Sequence, residues 1–358
     1  MSMDEGKGLT MSHGAGGAVM QDMIAKLIVP ILSNRKWKRS GIRVPLDALD
    51  DSAVVDDIVF TTDSHTVKPI FFPGGDIGSL SVAGTVNDLS VVGAEPLALS
   101  SAFVLEEGLQ FGELERILRS MASTCKKAGV PVVTGDTKVV ERGAVQKMII
   151  STSGIGRRSP FLDRDLKEAR RFRNVRSDWL LDSNLRPGDK LLLSGTVGDH
   201  GIAVLSQREG YGFESVIKSD IQPLNKMVAA ALVAGGVVAA KDPTRGGLAN
   251  LLNEWADKSK AGILVEEDAV PINQGVRSAC EMLGIDPLSI GNEGKAVFGV
   301  VRERADDVLR ALRRSPQGRK AAIIGEATRA VKRVVLHTTV GGKRILEQPA
   351  GDPIPRIC

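Results

Sequence analysis

Apolar residues recur at helical spacing near the start of the chain, where Met20, Met23, Ile24, Leu27, Ile28 and Ile31 predict one helix. Val54 to Thr62 reads as a single strand passing through two acids. Leu80, Ala83 and Val86 predict a helix, and Leu97 to Leu105 a strand. Phe111, Leu114, Ile117, Leu118, Met121 and Cys125 share one helical face, which places Cys125 in the core. Val130 to Thr134 and Met148 to Ile155 close this half as strands. Leu185-Arg186-Pro187-Gly188-Asp189 then makes a turn into a strand over Lys190 to Ser194. Further helices are predicted near Pro223 to Leu232, Leu248 to Asp257 and Asn273 to Leu283, with Val276, Cys280 and Leu283 on one buried face.

This alternation predicts an α/β chain. Its domains are expected over 1–156 and 185–346, with a basic linker at 157–184 and a free tail at 347–358. The tail reads Gly351-Asp352-Pro353-Ile354-Pro355-Arg356-Ile357-Cys358. Its prolines remove backbone donors and favour an extended arm. A thiol at the tip of such an arm suits a reactive group presented at a distance, although a frayed end that finishes in Cys gives the same pattern. It is not a prenylation signal, which needs the cysteine four residues from the end.

Composition narrows the class. A length of 358 residues, 42% hydrophobic residues and 39 glycines suit a soluble, loop-rich protein. Met1 to Gly8 is polar and lacks the apolar stretch of a signal peptide. The longest apolar run, Met227 to Ala240, is too short for a bilayer and reads as a buried helix or a helix–strand junction. Cys125, Cys280 and Cys358 lack CxxC spacing, which argues against a disulfide framework or thiolate metal site and for the reduced cytoplasm. The net charge of +4 is local, because Arg157 to Arg176 holds eight Lys or Arg against three acids. A solvated loop or charged helix face accounts for that stretch better than nucleic-acid binding.

Candidate chemistry lies in the loops. His13-Gly14-Ala15-Gly16-Gly17 precedes the first helix, where glycines let backbone amides approach an anion; an ordinary turn has the same composition. Asp50-Asp51-Ser52, Thr61-Thr62-Asp63, Asn87-Asp88 and Gly135-Asp136-Thr137-Lys138 each set Asp beside small or hydroxyl residues at the expected end of an element. Singly, each is a cap or turn. Together, Asp51, Asp63, Asp88 and Asp136 suit Mg²⁺ bridging a nucleotide's phosphates. Lys138 then becomes a candidate to polarise a transferring phosphoryl group. In the second half, Gly198-Asp199-His200-Gly201, Asp242-Pro243-Thr244-Arg245-Gly246-Gly247 and Gly291-Asn292-Glu293-Gly294 read as polar loops. Arg245 suits phosphate recognition, and Glu293 between glycines suits a general base.

These segments, with Phe71-Phe72-Pro73-Gly74-Gly75-Asp76-Ile77-Gly78, Gly84-Thr85-Val86-Asn87-Asp88-Leu89, Leu105-Glu106-Glu107-Gly108 and Thr134 to Val140, resemble the HypE family of hydrogenase maturation factors, within the PurM-like ATP enzymes related to aminoimidazole ribonucleotide synthetase. The acidic and glycine motifs are shared loosely across that superfamily, whereas the Pro355-Arg356-Ile357-Cys358 ending is specific to HypE. The resemblance implies a two-domain PurM-like fold of α+β type and a homodimer whose N-terminal domains pair into a β-barrel, with ATP near the interface. It also implies that a carbamoyltransferase, HypF, loads the terminal thiol, here Cys358. The carbamoyl group is then dehydrated to a thiocyanate at the expense of ATP, and cyanide passes to iron on the HypC-HypD complex for [NiFe]-hydrogenase.

Carried over residue by residue, the resemblance implies Cys358, Lys138 and Glu293 as catalytic residues and Asp51, Asp63, Asp88 and Asp136 as metal ligands. His13, Gly14, Gly16, Asp51, Asp63, Asn87, Thr137 and Arg245 are the expected nucleotide contacts. Two segments depart from the family pattern. The basic stretch from Arg157 to Asn184 is longer than the usual linker, and Ser64-His65-Thr66 replaces a more aromatic run. Another PurM-like enzyme, acting on aminoimidazole ribotide, selenophosphate or thiamine phosphate, shares the acids but needs no terminal Cys; a non-catalytic carbamoyl carrier needs the Cys but no ATP site.

Overall fold

The computed structural model describes residues 8–33, 41–213, 217–351 and 353–358; Met1 to Lys7 and Asp352 of the expected arm lie outside them. The first half contains β1 (Ile42–Val44), β2 (Ala53–Val55), β3 (Ile58–His65), β6 (Ala94–Glu106), β7 (Val132–Val140) and β8 (Met148–Arg158) in one sheet, ordered β1-β2-β3-β8-β6-β7. Only β6 and β7 run parallel in this sheet; the short ribbon of β4 (Phe71–Phe72) and β5 (Gly75–Asp76) stands apart. The strand expected over Val54 to Thr62 is a hairpin instead. Asp56, at φ 52°, and Asp57 turn the chain, because Asp tolerates the left-handed conformation.

An N-terminal helical run comprises α1 (Gly17–Met23), a wider-wound stretch at Ile24–Ile28 and α2 (Val29–Leu32). α3 (Ile77–Val91) is buried almost all round, and Asp76 caps it by accepting from Ser79 N at 2.9 Å. α4 (Phe111–Ala128) buries Ile117, Met121, Thr124 and Ala128. Phe111, at its first residue, is 88% exposed, and Cys125 is half-buried rather than core. Periodicity locates a stripe along a helix but not where the covering layer stops.

The second half contains β9 (Lys190–Leu193), β10 (Val237–Lys241), β11 (Gly262–Glu266), β12 (Val297–Val300), β13 (Ala322–Thr328), β14 (Val334–His337) and β15 (Lys343–Ile345), ordered β10-β12-β9-β13-β11-β14-β15. Its helices include α7 (Asn225–Ala234), α8 (Gly247–Ser259) and α9 (Gln274–Leu283), close to the predicted spans, with Cys280 buried. The apolar run Met227 to Ala240 is a junction, α7 passing through Gly235 and Gly236 into β10. Sequence periodicity missed α5 (Leu162–Ala169), α6 (Asp199–Glu209) and α10 (Ala305–Arg314). Gly198-Asp199-His200-Gly201 is therefore a helix start, with Gly198 in the left-handed capping conformation. Among the described residues, no helix is long and apolar enough to cross a membrane.

The two halves share their interior. One cluster joins Val54, Val59 and Leu89 to Leu162, Leu166, Met227, Phe298 and Val308. The basic segment thus contributes core through the apolar face of α5, while Arg158, Arg170 and Arg173 pair with Asp163, Asp178 and Asp189. On the same helix, fully buried Asp165 accepts from Val237 N at 2.9 Å, and burial pushes its carboxyl well above the usual range. A carboxyl with a raised folded pKa stabilises the protein below its unfolded value, about pH 4, and that stability is lost as pH rises through the folded pKa. Asp165→Asn is therefore expected to lie close to wild type near pH 4 and to become progressively more stable than it at higher pH. Urea midpoints across pH check this, and a pH-independent difference would refute it.

Candidate active site

Asp51 precedes β2, Asp63 lies on β3, Asp88 on α3, Asp242 follows β10, and Glu293 lies in the loop before β12. These five acids line one cavity of about 280 Å³ together with Arg245, His65 and Cys358. Thr85 Oγ1 donates to Asp63 Oδ2 at 2.9 Å and Thr61 Oγ1 to Asp88 Oδ2 at 3.0 Å. Burial, then the charges of Asp63, Asp242 and Asp51, push Asp88 well above the usual carboxyl range. Burial and neighbouring acids do the same to Asp242 and Glu293. Asp51 is pushed up to about 6 by burial, against the attraction of Lys241. Asp242 Oδ2 and Glu293 Oε1 are buried without a hydrogen-bond partner among the described residues.

Carboxylates crowded in this way, with orphaned oxygens, suit a cation. However, no three acidic, His or Cys side chains among the described residues close on one point to grip a metal alone. That arrangement fits Mg²⁺, which keeps waters and binds through one or two carboxylates plus a substrate's phosphates. A larger cavity of about 820 Å³ adjoins, reaching Gly16, Asp51, Asp88, Lys241, Asp242 and Arg245, a size suited to a small-molecule ligand.

Several expected site residues stand elsewhere. Asp136, Thr137 and Lys138 lie within β7, not at its end, on the open edge of the sheet. Lys138 Nζ reaches Asp136 at 3.0 Å with both side chains about two-thirds exposed, so Asp136 does not join the other acids of its own chain. Asn87 is fully buried and staples the halves together, accepting from Leu224 N at 2.8 Å and donating toward Gln222 O and Glu293 O, so it does not face the cleft. His13 and Gly14 line a third cavity on the far side of Cys358. Within the glycine loop, His13 N and Gly14 N donate to Thr10 O and Met11 O. Gly16 N points to the Met20 sulfur, and Ala18 N and Val19 N donate to the carbonyls of Pro349 and Ala350.

Those last contacts belong to the tail, which is docked rather than free. Ile354 and Ile357 are buried in the same apolar cluster as Val86, Ile117 and Ile202. Thr66 N donates to Cys358 O at 3.1 Å and Lys68 N to Arg356 O at 3.2 Å. Cys358 is thereby half-buried at the junction of the acidic cavity and the third cavity. The charge of Cys358 is the foremost influence holding the Arg245 guanidinium above its ordinary pKa; burial opposes it, and Asp63, Glu293 and Asp88 add to it. Buried His65 borders this cavity, and its Nδ1 finds no partner among the described residues.

Sequence reasoning missed a buried cation. Lys241 Nζ contacts Asp51 at 2.8 Å, Asp182 at 3.2 Å and Glu254 at 3.3 Å. Asp182 comes from the basic segment, and Lys258 also pairs with it at 2.7 Å. Burial works against ionisation of Asp182, yet Lys241 and Lys258 outweigh it and hold its carboxyl below the usual range. The available signal was a lysine ending an otherwise apolar run, since a charge on a fully buried strand needs partners.

The family model described as AIR synthase related protein, N-terminal domain, matches residues 49–158, and the corresponding C-terminal domain model matches residues 186–337. The chain is 45% identical to the carbamoyl dehydratase HypE of Azotobacter vinelandii over 354 residues, 97% of this chain and 96% of that protein. It is similar to the HypE chain of a HypE-HypF complex at 42% identity with a TM-score of 0.80, covering 90% of this chain and 99% of that one. It is also similar to hydrogenase maturation protein HypE in complex with ATP, at 41% identity and a TM-score of 0.77, over 98% of this chain and 100% of the other.

Proposed function

The chain belongs to the HypE family of carbamoyl dehydratases, and on that premise we propose that it dehydrates an S-carbamoyl group carried on Cys358 to a thiocyanate at the expense of ATP. The observation that carries this reading is the docked tail, which sets the terminal thiol among Asp51, Asp63, Asp88, Asp242, Arg245 and Glu293. The carbamoyl oxygen is a poor leaving group. Taken up by the γ-phosphoryl of ATP, it departs as phosphate while two protons leave nitrogen and the C≡N bond forms.

Asp51, Asp63, Asp88 and Asp242 are the residues from which the one or two carboxylate ligands of Mg²⁺ would come; the ion would supply charge neutralisation for phosphoryl transfer. Arg245 faces all three cavities and binds phosphate oxygens or the oxyanion. Glu293 takes the nitrogen protons. Burial, then the charges of Asp242 and Asp220, hold its carboxyl well above the usual range, and the Arg245 guanidinium pulls it back down. Glu293→Gln is expected to lower dehydration by about 10²–10⁴-fold, as for loss of a general base, and to trap the carbamoyl form on Cys358.

We assign Asp136, Thr137 and Lys138 to the cleft of a second copy. Val133 and Val139 are exposed on that edge strand, and Ile58 and Phe60 on β3 and Ile155 on β8 are exposed on the same sheet, an apolar surface that pairing of two such sheets would cover. HypF is the proposed source of the carbamoyl group and the HypC-HypD iron complex the acceptor of cyanide. The test uses the peptide Gln348 to Cys358, released by cleavage after Glu347. After incubation with the carbamoyltransferase, carbamoyl phosphate and Mg-ATP, its mass should show carbamoyl addition followed by loss of one water. Carbamoylation without water loss would reduce the chain to a carrier.

A further inference from the structure

The extended tail leaves its carbonyls without partners of its own, and one helix gathers three of them in succession. His200 and Arg208 both lie on α6. Arg208 Nη1 donates to Pro355 O at 2.7 Å and Nη2 to Arg356 O at 2.8 Å, while its Nε donates to Lys68 O at 2.8 Å. His200 Nε2 lies 2.7 Å from Ile357 O, and Nδ1 lies 2.8 Å from Ser219 Oγ. A carbonyl only accepts, so Nε2 carries the hydrogen and Ser219 Oγ donates to Nδ1. His200 is fully buried, sits edge-on to Phe72, and touches none of the acids of the cleft. No step of the dehydration uses it.

The seat around these contacts is built closely. A Cβ on Gly201 of α6 would stand 2.4 Å from Ile290 and 3.3 Å from Ile354, and one on Gly291 would stand 2.5 Å from the Ile357 side chain. Arg356 adopts φ 57°, a left-handed conformation costing a non-glycine residue roughly 1–2 kcal/mol, and its guanidinium is fastened to Thr66 O at 3.1 and 3.0 Å. The chain turns there, one residue before the last two, and enters the cavity. A strained turn held from both sides marks a position that the surroundings impose on the tail. The support also reaches the proposed base, because Asp220, next to Ser219, accepts from Glu293 N at 3.1 Å and pairs with Lys295 at 2.8 Å.

We propose that α6, through His200 and Arg208, is a backbone clamp that sets the register of the C-terminal arm and so positions the Cys358 sulfur in the acidic cavity. Both are positioning residues, acting through the tail main chain, and the inference rests on the reading of Cys358 as the carrier thiol. The clamp grips the tail through its carbonyls, so its hold does not depend on the thiol or the group attached to it. Loading by the carbamoyltransferase requires the arm to leave, so the clamp opposes loading and favours dehydration.

The test compares wild type, His200→Ala, His200→Gln and Arg208→Gln in the full-length protein. Two readouts are taken: hydrogen exchange of residues 353–358, and single-turnover dehydration of protein carbamoylated beforehand. His200→Ala should raise tail exchange and slow dehydration by about 10²-fold, the order expected for a displaced reacting group, with the KM for ATP unchanged and loading by the transferase unchanged or faster. His200→Gln, which restores a donor near Ile357 O, should recover part of the rate. Arg208→Gln, at a partly exposed site, should fold normally and shift both readouts the same way, so the test survives if His200→Ala does not fold. Unchanged exchange, or raised exchange with an unchanged rate, would overturn the clamp. So would a loss of rate accompanied by equal losses in ATP binding and melting temperature in both variants, since that is the signature of a merely structural role. If wild type itself loads but never loses water, the proposed function fails, and the clamp is then judged on tail exchange alone.

Discussion

Replacing Cys358 with alanine is expected to abolish thiocyanate formation while leaving ATP binding within a few-fold of wild type. The thiol carries the reacting group covalently, so its loss removes the substrate rather than weakening an interaction, and no neighbouring side chain replaces it. Cys125 is half-buried on the far part of α4 and Cys280 is buried on α9, and neither borders the acidic cavity. Asp63 and Asp88 lie within β3 and α3, and Asp51, Asp242, Arg245 and Glu293 sit beside β2, β10, α8 and β12, so they are expected to remain in place without the sulfur. Titration calorimetry with Mg-ATP, beside the peptide-mass assay, separates the two effects. Continued water loss from a carbamoylated Cys358→Ala protein would sink the assignment of the terminal thiol. A large loss of ATP affinity would show that the tail builds the nucleotide site rather than entering it.

Lys241→Met should be the most destabilising single change near the site, by about 3–5 kcal/mol, the range for removing one partner of a buried ion pair. Lys241 is almost wholly buried and is shared by Asp51, Asp182 and Glu254, which arrive from both halves of the chain and from the basic segment. Without the ammonium, Asp182 keeps Lys258 but Asp51 and Glu254 lose their contact with Lys241. Asp51 is already pushed up to about 6 by burial, against the pull of Lys241, so losing that pull raises it further. The penalty should therefore grow as pH rises through that region and shrink in acid, where the carboxyls are protonated. Urea midpoints at low and neutral pH measure it. A small, pH-independent cost would show that Met and the relaxed acids repack without an unpaired charge.

The order of elements was legible in the sequence wherever one face of an element is buried and the other is wet. Helical periodicity located the N-terminal helical run and α3, α4, α7, α8 and α9, and the apolar run ending at Ala240 resolved as a helix–strand junction, one of the two readings its composition allowed. Pattern failed where its premise fails. The Asp56-Asp57 turn interrupts an apolar alternation without glycine or proline, and α6 begins at a glycine-flanked polar motif that mimics a loop. The short apolar face of α5 is hidden among arginines.

By itself the sequence determined the chemistry available: acids beside small residues, Arg245 and Glu293 between glycines, and a terminal cysteine on a proline-stiffened arm, because these are properties of residue type and local spacing. Only the tertiary structure decided which of them meet. Asp242 joins Asp51, Asp63 and Asp88, whereas Asp136 and Lys138 stand on an exposed strand edge, Asn87 is spent on a buried staple, and the tail is bound through its carbonyls. Those outcomes depend on sheet order, helix packing and the partnering of buried charges across hundreds of residues. Such long-range contacts are set by the balance of burial against desolvation over the whole fold, which no local pattern encodes.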